Sequence, residues 1–121
     1  MSKFIMSCTT CALRGNGDEV ADTFEHAPTA GYKYWGLAGP LMFPYAAPWL
    51  DAEKMKKEAS KAGLIGCTEA YAPAIKTDSK EAALKSVDTL VAQAEFAVRL
   101  ESPLLVFSGG KRKGGVEELA A

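Results

Sequence analysis

A single histidine, His26, stands among the 121 residues, which removes most acid–base and imidazole–metal schemes at once. It falls mid-helix, remote from any strand end, and reads as a helix-surface or partly packed residue. The three cysteines are odd in number and cannot form a fully paired disulfide framework, so they read as free thiols. No apolar run approaches the ~18–20 residues that cross a bilayer. The opening Met1-Ser2-Lys3-Phe4-Ile5-Met6 lacks a signal-peptide core. Charge of one sign is also missing: 14 Lys and Arg against 15 Asp and Glu leave a net −1. That balance argues against nucleic acid or an anionic membrane as partner, and the cytoplasm is the expected location.

The 48% of apolar residues is enough for a core and excludes a disordered chain. At this length one domain, residues 1–121, is expected. The organising signal is a strand-then-helix unit closed by glycine. Phe4-Ile5-Met6-Ser7-Cys8 predicts a first strand. Asp18 then caps a helix carrying Val20, Phe24 and Ala27 on one face, with Pro28 expected to kink it or end it early. Ala30-Gly31 closes that unit, and Tyr32-Lys33-Tyr34-Trp35-Gly36-Leu37 predicts a second strand. Asp51 caps a second helix with Met55, Ala59 and Ala62 inward, and Ala62-Gly63 repeats Ala30-Gly31 after 32 residues.

A third strand is expected over Leu64-Ile65-Gly66-Cys67-Thr68-Glu69. Asp78 and Glu81 form a capping-box pattern before a long third helix, whose inward face is read as Leu84, Val87, Val91, Ala94 and Val98. Leu104-Leu105-Val106-Phe107 is apolar without alternation, as a parallel strand covered on both faces would be. Val116 to Ala121 begins like a further helix. The order β-α-β-α-β-α-β with right-handed crossovers predicts a parallel sheet. Four such strands cannot close a barrel that takes eight, so the sequence reads as about half of one.

Residues 3–121 resemble the N-terminal half of the xylose-isomerase-like TIM-barrel superfamily, the sugar phosphate isomerase/epimerase group. The resemblance is carried by Lys3-Phe4-Ile5-Met6-Ser7, by Phe24-Glu25-His26-Ala27 through Ala30-Gly31-Tyr32-Lys33-Tyr34-Trp35, by Ala62-Gly63-Leu64, and by the third helix running into Ser102-Pro103-Leu104-Leu105-Val106-Phe107-Ser108-Gly109-Gly110. It implies an incomplete (β/α)₈ barrel whose parent interconverts a sugar or sugar phosphate by proton transfer next to a carbonyl, braced by a divalent metal. It also implies that this chain lacks a complete catalytic set and is inactive alone, since the metal ligands of such isomerases lie on strands five to eight. No metal ligand set is supported by this chain. The sequence departs from the family at the end of the second strand, where Gly36-Leu37 replaces the usual acidic residue. It departs again at strands three and four, where Glu69-Ala70-Tyr71 and Phe107-Ser108-Gly109 stand without a histidine.

In a barrel, catalytic groups gather at the C-terminal ends of the strands. Glu69 is the candidate there, as a general base or a holder of a substrate hydroxyl; a helix-capping or salt-bridged carboxylate is the alternative. Trp35 and Tyr71, with Tyr45 and Trp49, are candidates to stack on a sugar face or to pin a loop. Ser108 and the loop Lys111, Arg112 and Lys113 offer free amides and positive charge to a phosphate, or form a solvated basic turn. Cys8-Thr9-Thr10-Cys11 has CxxC spacing but follows a strand, away from the helix start that activates redox pairs, and reads as packing thiols.

An unclosed sheet leaves one face and its strand edges bare, so a homodimer or capture of the missing C-terminal half is expected. The competing readings are a stand-alone flavodoxin-like module binding a small anion, with helices on both faces of the sheet, and a non-enzymatic interaction fragment.

Overall fold

The computed structural model describes residues 4–13, 18–38 and 51–107. The elements follow one another as β1 (Ser7–Thr9), a 3₁₀ turn (Thr10–Leu13), α1 (Glu19–His26), β2 (Tyr34–Leu37), α2 (Ala52–Ala62), β3 (Gly66–Tyr71), α3 (Lys80–Arg99) and β4 (Leu105–Val106). The strands form one parallel sheet in the sequential order β1-β2-β3-β4. The right-handed crossover that parallel βαβ units take would, in this sequential order, carry every helix to the same face. One continuous core agrees with this, joining Val20 and Phe24 of α1, Met55 and Ala59 of α2, Phe96 and Ala97 of α3 and Leu100 just beyond it to Trp35, Leu37, Cys67 and Ala70 of the sheet. The sheet is therefore singly wound over the described residues, not doubly wound as in a flavodoxin-like module. No helix among them is long and apolar enough to cross a membrane.

Local chemistry fixes the helix ends. The Asp18 carboxylate accepts the Val20 and Ala21 amides at 3.1 and 3.0 Å, and Asp51 accepts those of Glu53 and Lys54 at 3.0 and 3.2 Å. Gly63 ends α2 in the left-handed conformation, φ 100°, with its amide donating to Ser60 O and the Leu64 amide donating to Ala59 O. Gly31 repeats the motif at φ 95°, with Gly31 N donating to Pro28 O and Tyr32 N to Ala27 O. Both glycines occupy a backbone region where a side chain is strained. These closures hold Tyr32 and Leu64 in the helix-to-strand turns, so β2 and β3 start later than their apolar residues suggest. β3 also runs on to Tyr71, because Ala70 and Tyr71 pair with Leu105 and Val106.

The third helix differs from its sequence reading in two ways. Its cap is Ser79, which accepts the Ala82 amide at 3.0 Å, in place of Asp78. Its inward stripe is Gln93, Phe96, Ala97 and Leu100, while Leu84, Val87, Val91 and Val98 are 57, 43, 52 and 74% exposed. Both stripes have helical spacing. The structure buries the one bearing the aromatic ring and places Gln93 where its Nε2 donates to the Tyr71 carbonyl at 2.9 Å.

Candidate strand-end site

Alternation along the strands sends Trp35, Leu37, Cys67 and Ala70 to the helix layer and their neighbours to the other face, which is helix-free among the described residues. Between Trp35 and Gly36 the register slips: Trp35 pairs with Cys67, but Gly36 pairs with Glu69. Thr68 is the extra residue of a β-bulge. It lets both pairs of core residues keep their side of the sheet and brings the Thr68 hydroxyl onto the Glu69 carboxylate.

That carboxylate has a built seat. Ser7 Oγ of β1 donates to it, 3.1 Å from Oε1 and 3.4 Å from Oε2, and Thr68 Oγ1 donates to Oε2. Its floor is Gly36: a Cβ there would lie 2.7 Å from Glu69 Cδ and 3.1 Å from Thr9 Cγ2. Glycine at the second strand end thus leaves room for an acidic group supplied by the third. The partners of Glu69 are hydroxyls; it caps no helix and makes no ion pair among the described residues. It is half-buried, so a molecule on the helix-free face can reach it.

The other cysteine and threonine groups frame this corner. Thr9 Oγ1 and Cys11 Sγ are 3.2 Å apart, and Thr10, buried in the 3₁₀ turn, donates to Ala38 O at 2.6 Å and accepts the Ala38 amide at 3.0 Å. Burial raises the Cys8 thiol above its ordinary range, with Cys11 adding to the effect. Burial pushes Cys67 up to about 11, its Sγ lying 3.3 Å from the Glu69 carbonyl. All three cysteines are free, with thiols that burial leaves protonated at Cys8 and Cys67.

Of the remaining sequence candidates, Trp35 is turned away from Glu69. Trp35 is 1% exposed in the helix layer, its ring edge-on to Phe24 with centroids 5.0 Å apart. Tyr71 is half-buried and packs against the core cluster. Ser108, Lys111, Arg112 and Lys113 lie outside the described residues, as do Tyr45 and Trp49. Ser7, Thr68 and Gly36 escape a sequence reading because they meet Glu69 only through strand pairing and a bulge. His26 is half of a different story: it lies with Asp22 and Glu25 in a cluster whose ligand atoms are within 4.8 Å of one another. The spacing Asp-x-x-Glu-His is the signal in the sequence for that cluster.

The strand-end donor set is one carboxylate and hydroxyls. A divalent metal needs more anionic or imidazole ligands than this, so the described strand ends do not fit the metal that the barrel resemblance implies. Comparison with protein-family models, with curated proteins and with solved structures finds no match to this chain.

Proposed function

We propose that this chain forms one wall of an isomerase- or epimerase-like (β/α)₈ barrel and that Glu69 is its acid–base group toward a sugar or sugar phosphate. The observation that carries the reading is the Glu69 carboxylate, seated over Gly36 at the C-terminal side of a parallel sheet, on the face that carries no helix among the described residues. A carboxylate held by two hydroxyl donors is fixed in position, yet keeps lone pairs free for a substrate hydroxyl or a proton next to a carbonyl. Pre-organisation of this kind is what proton transfer needs, because the group need not reorient during reaction.

This wall supplies one such group. Interconversion of a sugar needs a second group to return the proton and an electrophile to hold the developing oxyanion, so the chain alone is proposed to bind without turnover. Two-dimensional ¹⁵N NMR titration with an aldose phosphate tests this. The reading expects shifts at Ser7, Thr9, Gly36 and Glu69 that weaken tenfold or more in Glu69→Gln. Shifts confined to other residues, or undiminished in the variant, would overturn it.

The exposed α3 stripe and the edge of β4, unpaired among the described residues, favour a second reading, in which this side associates with a second copy or with segments completing a barrel. Size-exclusion chromatography with light scattering separates the two: a monomer at high concentration argues against self-association.

A further inference from the structure

We infer that one side of α1 is a binding site for a divalent transition-metal ion such as Zn²⁺, formed by Asp22, Glu25 and His26. This inference does not rest on the barrel reading or on Glu69. The three residues stand at i, i+3 and i+4, on the side of α1 turned away from Val20, Phe24 and Ala27. Each offers one ligand atom, and the three atoms lie within 4.8 Å of one another. Tetrahedral coordination at Zn–N and Zn–O distances near 2.0–2.2 Å places ligand atoms about 3.3 Å apart. Rotation of the exposed Glu25 and His26 side chains covers that difference without moving the backbone.

Three further features point to a cation there. Asp22 Oδ2 is buried with no hydrogen-bond partner among the described residues, so it is an acceptor available to a ligand. None of the three side chains is in an ion pair with a described lysine or arginine. Through Glu25 and His26 the cluster also reaches the last turn of α1, where the helix dipole favours positive charge and where the Glu25 carboxylate alone is unfavourable. One imidazole nitrogen with two carboxylate oxygens is a donor set for zinc and its first-row neighbours; magnesium and calcium prefer all-oxygen shells. An eight-residue helix is marginal by itself, so a metal bridging Asp22 to Glu25 and His26 would stabilise its helical form.

The test is calorimetric titration of chelator-treated protein with ZnCl₂, followed in parallel by ¹⁵N NMR. The expected result is one zinc per chain, with the largest shifts at residues 22–27 and a melting midpoint raised by the metal. His26→Ala and Asp22→Asn should each weaken zinc tenfold or more and abolish the rise in melting midpoint, their NMR spectra showing the fold retained. The C8S/C11S double variant should bind as the unaltered chain does. Zinc affinity that survives His26→Ala and Asp22→Asn but falls in C8S/C11S, or no saturable binding below about 1 mM, would overturn the inference.

Discussion

Replacing Gly36 by alanine sets a methyl group against the carboxylate of Glu69. The new Cβ would lie 2.7 Å from Glu69 Cδ, about 1 Å inside the normal separation of carbon atoms. The carboxylate ends a flexible side chain, so it moves and the strand does not, and with it go the bonds from Ser7 and Thr68. Hydrogen bonds to a charged group are worth about 1.5–3 kcal/mol when buried, and Glu69 is half-buried, so a loss of about 1–2 kcal/mol is expected. Alanine returns about 0.5–1 kcal/mol by restricting the unfolded chain. Gly36→Ala should therefore destabilise the protein by up to about 1.5 kcal/mol. In a Glu69→Ala background the clash with the carboxylate is gone and Thr9 Cγ2 at 3.1 Å has to give only a few tenths of an ångström, so the same substitution should be neutral or stabilising. Urea unfolding of the four proteins in a double-mutant cycle measures the coupling, expected at about 1–2 kcal/mol. Two substitutions that add within about 0.5 kcal/mol would refute the seat over Gly36.

The facing of α3 predicts that Phe96→Ala costs about 3–5 kcal/mol while Val91→Lys stays within about 0.5 kcal/mol, both read by urea midpoints. Thr10→Val leaves both the Ala38 amide and its carbonyl without their partner, and should cost about 1–3 kcal/mol by the same assay. The Cys67 thiol, held at about 11 against 9.0 when unfolded, favours the protonated folded state. Its contribution is fully present below pH 9 and is lost as pH rises through 11, by about 2–3 kcal/mol. Cys67→Ala should flatten that part of the stability profile, and the native thiol should resist aromatic disulfide reagents until the chain unfolds.

Local chemistry was readable in the residues themselves. Asp18 and Asp51 announce helix starts because a short carboxylate can reach the next free amides, and Gly31 and Gly63 announce ends because the closing turn needs a left-handed residue. Pro28 marks the early stop of α1 for a similar reason. What failed was any question between two locally equal answers. Leu84, Val87, Val91 and Val98 form an apolar stripe as regular as that of Gln93, Phe96, Ala97 and Leu100. Only the crossing of α3 over β3, fixed by the bond from Gln93 to the Tyr71 carbonyl, selects between them.

Glu69 was legible as an acidic group near a strand end, but its surroundings were not. Thr68 reaches the same carboxylate only because a bulge breaks alternation, and Ser7 is 62 residues away. Gly36 reads in the sequence as a missing acid and in the structure as the space that an acid from the next strand occupies.

The carboxyl carbon of Glu69 reports most directly on the proposed role. In protein labelled with ¹³C at the glutamate side-chain carboxyl, the Glu69 resonance, assigned by its absence in Glu69→Gln, should move in proportion to saturation with an aldose phosphate. A Glu69 resonance that stays fixed while the sugar phosphate saturates the protein elsewhere would contradict the account.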